Sequence, residues 1–493
     1  MLRVVLAAAL GGLTTLGFAP YAWPALSLLG LAGLLELWRT AAPGRAALYG
    51  FSFGFAHFAS GIYWVFISTY RYGGAPLWLG VWLVILLSTY MALYPALLGW
   101  LTARWRAPSS RAWALLQLPA LWTLLELVRA YLGTGFPWLS LGYAFLDTPL
   151  GALAPVTGVH GMSALAVLIA AALWLLWRGA GRERWPAVAA MGLLALLLVA
   201  LPPAERWSEA SARTLSAGIV QGNIPQNVKW EEQLRAEIKQ RYLELSEDLR
   251  APLVIWPEVA IPATYDEELP FLVELSGWAS QRGQTLLTGV LWRDGRDLYN
   301  TVLALGAGQG EDGRFYLKRH LVPFGEFFPI PDFLRAVMQG LDMNYGDFTH
   351  GPALQTPITA AGETLGISIC FEDAFGREIR RALPEATVLV TVTNDGWFDG
   401  SAAPWQHLQI ARVRALEAGR EIVRVSNRGV SGVIGADGVL RDTIGFFETG
   451  TREVSVQPRT GSTPYVRFGD WPLWVLSALL SAAAFWLRRR QSR

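Results

Sequence analysis

The sequence predicts a multi-span α-helical membrane domain joined to an α/β domain outside the bilayer. Three observations lead there. Residues 1 to about 205 are almost continuously apolar, broken by short loops. Residues 213–458 are richer in charge and turns, and strand-like runs alternate with helical ones. Arginines gather on alternate loops of the apolar part, the bias that sets orientation in a membrane. Composition fits this division, since only 16% of residues are charged, where soluble domains carry about 25%.

A helix needs about 20 apolar residues to cross the hydrocarbon. Seven such runs are predicted, at roughly 2–18, 22–38, 47–67, 76–102, 112–130, 158–177 and 185–202. The first two are short and share the turn Ala19–Pro24. Residues 1–20 also admit reading as a cleaved signal peptide with Arg3 at its basic end, although no clear small-x-small cleavage site follows the apolar run. Arg3, Arg39, Arg45, Arg104, Arg106, Arg111, Arg178, Arg182 and Arg184 fall on one set of loops, and the intervening loops carry little beyond Arg71 and Arg129. The basic set is assigned to the cytoplasm, which puts everything after Leu201 on the opposite side. An eighth run, 471–487, ends in three arginines and returns the chain.

Between the fifth and sixth runs, Gly133–Leu139 (Gly-Thr-Gly-Phe-Pro-Trp-Leu) and Gly142-Tyr143 interrupt helix formation. This is read as an outer loop or re-entrant element. Its Trp138 and Tyr143 are candidates for lipid contact, as interfacial anchors or as the lining of a lipid site. Glu126 and Arg129, three apart, share a helix face and are expected to pair with each other.

In the second part, strands are predicted at 214–220, 253–256, 285–291, 367–370, 387–393 and 422–425. Helices are predicted at 230–250, 268–281, 377–383 and 405–419. These form an α/β domain of about 245 residues, enough for a core of its own. A net charge of +2 gives no reason to expect nucleic acid, and one cysteine excludes an internal disulfide framework. The five histidines show no ligand spacing, so no metal or cofactor is assigned.

Three stretches stand out. Leu253–Glu258 ends in a carboxylate, Arg314–Lys318 in an amine, and Gly366–Cys370 in the only thiol. Each follows a strand-like apolar run, and the ends of buried strands are where α/β sheets present reactive groups. A carboxylate can deprotonate a thiol, and a nearby ammonium can balance charge on a tetrahedral intermediate. A lone cysteine is otherwise most often a buried structural one.

The wording around these residues narrows the choice. Trp-Pro-Glu258, Leu-Lys318-Arg-His-Leu-Val-Pro-Phe-Gly-Glu326 and Ile-Cys370-Phe-Glu372-Asp resemble the three motifs of the carbon–nitrogen hydrolase (nitrilase) superfamily. Thr393–Phe398 and Gln406–Glu417 resemble its later stretches. With seven spans before and one after, the chain resembles the membrane-bound branch of that superfamily, the apolipoprotein N-acyltransferase family. Pro-Phe-Gly-Glu-Phe, Pro-Trp-Gln-His and Thr-Gly-Phe-Pro-Trp also point to that branch.

The resemblance implies a four-layer αββα sandwich at 213–458 on the periplasmic side of the bacterial inner membrane. It implies Glu258 as general base, Cys370 as nucleophile and Lys318 as the charge that steadies the intermediate. The N–H of Phe371 would complete the oxyanion site, and Glu326 and Glu372 would support the triad. The reaction implied is ping-pong. An acyl chain passes from a phospholipid, typically phosphatidylethanolamine, to Cys370, and then to the α-amine of the diacylglyceryl-cysteine of an apolipoprotein. The chain is expected to act as a monomer in the bilayer. The rivals are a membrane-tethered amidase that uses water and a non-catalytic lipid-binding scaffold. Phe371 departs from the Tyr that relatives often carry, and Phe398-Asp399-Gly400 stands where Phe-Gly is expected. The apolar run 327–343, led by Phe327 and Phe328, is expected to form a mobile lid facing lipid.

Overall fold

The computed structural model describes residues 1–107, 109–309, 314–327 and 347–491, with 487–491 as backbone only. The chain divides into two compact units. One comprises Met1–Phe66, Leu77–Pro203 and Arg467–Arg493, and the other Ile67–Pro76 and Ala204–Val466.

The first unit is helical. By length and composition, three helices among the described residues can cross a bilayer: Leu77–Arg104, Pro149–Arg178 and Gly181–Ala200. A fourth is available if Pro43–Gly61 and Trp64–Tyr72, bent by 49°, form one span. The expected first, second and last spans are the apolar helices Leu2–Thr15, Pro24–Trp38 and Trp471–Trp486, each shorter than that test requires. The helix Trp185–Ala200 buries Ala187 and Leu194 and leaves Leu193, Leu196 and Val199 exposed. An apolar helix with an apolar exterior suits a lipid surroundings better than water.

Glu126 and Arg129 do pair, at 3.5 Å, but they also hold the loop that follows. Arg129 donates from Nη1 to the carbonyls of Phe136 and Trp138, both at 2.7 Å, and from Nη2 to Ser140 Oγ at 3.1 Å. The Glu126 carboxylate accepts from the N–H of Leu141 at 2.8 Å, and Ser163 Oγ from that of Gly142 at 2.7 Å. These bonds fold the loop inward, so Trp138 and Tyr143 are 3% and 1% exposed. That corrects the expectation of lipid contact for both. Trp138 packs on Trp64 at 5.2 Å instead. A cavity of about 50 Å³ lies in the same unit, bordered by His57, Tyr94, Glu126 and Arg129.

The second unit is a sandwich of two six-stranded sheets among the described residues. In chain order its strands are β1 (Leu215–Gln221), β2 (Leu253–Ile255), β3 (Thr285–Asp294), β4 (Asp297–Gly306), β5 (Arg314–Leu317), β6 (Ile358–Ala360), β7 (Glu363–Ile369), β8 (Val388–Thr393), β9 (Ile422–Ser426), β10 (Ser431–Ile434), β11 (Leu440–Ile444) and β12 (Gly450–Val456). One sheet has the order β12-β1-β2-β3-β4-β5, the other β11-β10-β9-β8-β7-β6. Strands β1, β2 and β3 run parallel, as do β7, β8 and β9.

Period-two alternation explains the four layers. Ile219, Ile255, Leu287 and Val302 face Ile367, Ile369, Val390, Val392 and Val425 in a core between the sheets. Their alternate neighbours Val220, Val254, Leu286 and Leu303 pack on the helices Arg235–Ser246 and Leu269–Gln281. On the far side, Leu389 and Ile422 meet the helices Gly376–Arg380 and Ala403–Ala418 through Ile379, Leu408, Ala411 and Ala415. The arrangement is αββα. It brings the ends of β2, β5 and β7 to the places where the three predicted site residues stand.

Candidate active site

Glu258 is the third residue past β2, Lys318 follows β5 directly and Cys370 follows β7 directly. Trp256 anchors the first of these, fully buried and stacked on Tyr242 at 5.1 Å. Gly289 in β3 is needed beside it. A Cβ there would lie 2.1 Å from Val259 N and 2.7 Å from Pro257 O, so the backbone carrying Glu258 rests directly on the glycine. Cys370 stands at φ 51°, in the left-handed region, where β7 turns abruptly into the 3-10 turn Cys370–Ala374. Non-glycine residues rarely adopt that conformation, and it turns the partly exposed thiol residue out of line with the strand.

Lys318 is 1% exposed and held by carboxylates. Its Nζ lies 2.7 Å from Glu326 Oε1 and 3.5 Å from Glu258 Oε1. Burial alone would discharge this amine, but Glu326 and Glu258 outweigh it and raise its pKa well above the usual lysine range. Asn300 Nδ2 ties the two acids together, donating to Glu258 Oε1 at 2.8 Å and to Glu326 Oε1 at 3.2 Å. Glu326 also accepts from the N–H of Val322 at 2.8 Å. The thiol of Cys370 behaves oppositely. Burial, and after it the Glu258 carboxylate, raise its pKa strongly, while Lys318 opposes them. These opposite shifts favour a neutral thiol together with a charged amine, a pair in which a base must take the proton to make the nucleophile.

Glu372 is 0% exposed and hydrogen-bonded to both sheets. It accepts from the N–H of Arg319 at 2.7 Å and of His320 at 3.2 Å, just past Lys318. It also accepts from the N–H of Ile369 at 2.7 Å, just before Cys370. The Tyr316 hydroxyl donates to its oxygens at 3.1 and 3.0 Å. Burial raises the pKa of this acid, and the N–H of Ile369 opposes that.

Sequence reasoning passed over four further groups. Asn300, buried in the antiparallel strand β4, carries no motif of its own. Lys229 is buried with Nζ 3.1 Å from the carbonyl of Glu258, and burial draws its pKa down to about 8 against the pull of Glu258. His407 and Arg424 lie beneath the thiol, each between Asp373 and Asp395. The wording Gln406-His-Leu-Gln contained the signal for His407, but no ligand spacing singled it out. For His407, burial is outweighed by Asp373 and Asp395, and its pKa is pushed up to about 9. For Asp395, burial is outweighed by Arg424 and His407, and its pKa is held down at about 2. Phe327 packs edge-on against His350 at 4.9 Å; Phe328 and the expected lid beyond it lie outside the described residues. The departure at Asp399 is a turn at φ 49° whose side chain pairs with Arg71.

A family model described as carbon-nitrogen hydrolase matches residues 216–465, and one described as the apolipoprotein N-acyltransferase N-terminal domain matches residues 10–172. The α/β sandwich, with acid, amine and thiol at its strand ends, is thus of the carbon–nitrogen hydrolase class. An apolipoprotein N-acyltransferase of Methylococcus capsulatus is 40% identical over 100% of this chain and 97% of its own. One of Nitrosomonas europaea is 39% identical over 99% of each. This chain belongs to the apolipoprotein N-acyltransferase family, and it is an acyltransferase.

Two predictions follow from the charges. Glu372→Gln replaces half of an all-acceptor group with a donor facing buried N–H groups. Each donor left unpaired costs about 1–3 kcal/mol, so a lower melting temperature and at least a tenfold slower turnover are expected; wild-type values for both would contradict the bridging role. The raised pKa of His407 gives stability that is complete below pH about 6.5 and lost as pH rises through about 9. The depressed pKa of Asp395 gives stability present above about 3.8 and lost as pH falls through about 2. Melting temperature against pH should show the alkaline loss in the wild type and not in His407→Gln.

Proposed function

We propose that this protein transfers an acyl chain from a membrane phospholipid to the α-amino group of the diacylglyceryl-cysteine of apolipoproteins, through a thioester on Cys370. The observation that carries this reading is the placement of Glu258, Lys318 and Cys370 at three strand ends, with Lys318 Nζ 3.5 Å from Glu258 Oε1, in a chain whose relatives are named for that activity over their full length. Glu258 takes the proton from Sγ as sulfur attacks the ester carbonyl of the lipid. The Lys318 ammonium and the N–H of Phe371 balance the oxyanion. The intermediate collapses, the lysophospholipid oxygen leaves with the proton from Glu258, and the acyl group stays on sulfur. In the second half, the free amine attacks the thioester, Glu258 receives its proton, and the thiol is released.

The acyl donor is read as phosphatidylethanolamine and the working form as a monomer. The arginine bias supports a place in the bacterial inner membrane with the sandwich on the periplasmic side. Both substrates are lipids, and an apolar helical unit keeps the enzyme where they are.

The test is incubation with phospholipid labelled in its acyl chains and a diacylated lipopeptide, followed by mass analysis of both products. The reading expects one labelled amide on the lipopeptide for each lysophospholipid formed. Free fatty acid with unmodified lipopeptide would instead mark an amidase-like hydrolase that uses water.

A further inference from the structure

Four charged groups, all essentially without solvent exposure, close a ring beneath the nucleophile. His407 Nδ1 lies 2.8 Å from Asp395, and Arg424 Nη2 lies 3.0 Å from the same carboxylate. His407 Nε2 lies 2.9 Å from Asp373, and Arg424 Nη1 lies 3.3 Å from it. Positive and negative charges alternate around the ring and sum to zero, which makes their burial tolerable. A carboxylate at each ring nitrogen favours a donor at both, although Arg424 Nη2 also lies 3.1 Å from Nδ1.

The same Nε2 lies 3.2 Å from the carbonyl oxygen of Cys370. In a planar trans peptide, C=O and N–H point in opposite directions. A carbonyl drawn down onto His407 therefore turns the N–H of Phe371 the other way, out of the ring and toward the side where the reacting carbonyl sits. Cys370 at φ 51° needs such an anchor, because its backbone conformation is one that a side chain disfavours. We propose that His407 is a positioning residue for acyl transfer: by holding the Cys370 carbonyl, it fixes the peptide plane that aims the Phe371 N–H at the oxyanion. This rests on the reading of that N–H as an oxyanion donor.

The experiment compares wild type, His407→Gln and Lys318→Ala in detergent. Three quantities are measured: the rate of acyl-enzyme formation from phospholipid, the rate of thiol alkylation by iodoacetamide, and the affinity of a long-chain aldehyde that adds reversibly to the thiol. Alkylation passes through no oxyanion, so it reports the thiol alone. In His407→Gln, acylation and aldehyde affinity should fall by about 10²-fold, while alkylation stays within about threefold of wild type. Equal losses in all three, or none, would overturn the proposal. If aldehyde affinity falls in Lys318→Ala but not in His407→Gln, only the role of His407 fails; if it falls in neither, the oxyanion reading itself fails.

Should His407→Gln not fold, Asp395→Asn serves. The charged and titratable groups that face His407 are Asp373, Asp395, Arg424 and the Cys370 turn. Loss of the Asp395 charge weakens the hold on Nδ1 that orients the ring, so acylation and aldehyde affinity should fall together while alkylation stays within about threefold of wild type. Equal losses in all three, or none, would overturn the proposal.

Discussion

The Glu372 carboxylate receives hydrogen bonds from residues 316, 319 and 320 at the end of β5 and from residue 369 at the end of β7, so one buried acid joins the two sheets where the site lies. The amine and the thiol belong to different sheets, and inter-sheet packing of aliphatic side chains alone is non-directional. A carboxylate that accepts from four groups is directional. It sets the ends of the two strands relative to one another, and the position of Lys318 relative to Cys370 follows from it. Glu326 and Asn300 then do the same within one sheet, fixing the amine and Glu258.

The electrostatics follow from this scaffold. Lys318 is kept charged because two carboxylates surround it, and Cys370 is kept neutral because burial and one of those carboxylates disfavour a thiolate. In surroundings less polar than water, such prearranged charges act more strongly than they would in solution. The ring of Asp373, Asp395, His407 and Arg424 adds a second neutral but highly polar layer below the turn that carries the thiol.

Much of this was legible in the sequence. The parallel central strands are short apolar runs with charged or helix-breaking ends, so β2, β7, β8 and β9 fall within a few residues of their expected places. The three candidate site residues stood out because each follows such a run. The antiparallel strands β4, β6, β10, β11 and β12 were not predicted; β6 and β10 are three and four residues long, β11 and β12 are mostly exposed or half-buried, and β4, though mostly buried, opens on the partly polar run Asp297–Thr301. Asn300, Lys229 and the charge ring were missed because their partners come from distant strands and helices, which spacing along the chain does not encode. Trp138 and Tyr143 look like interfacial aromatics by composition. Arg129 and Glu126 instead satisfy the backbone of their loop, and that hydrogen bonding draws both rings inside.

The central claim is that Cys370 carries the acyl group between two lipids. It is tested most directly by the mass of the Cys370 peptide after incubation with phospholipid alone. The account predicts an acyl adduct on that residue, released by neutral hydroxylamine and transferred on addition of diacylated lipopeptide. It predicts none in Cys370→Ala and none at a useful rate in Glu258→Ala, with at most a trace in Lys318→Ala, where loss of one charge on the oxyanion costs about 10²–10³ in rate. Full acyl transfer by the Cys370→Ala protein would contradict it.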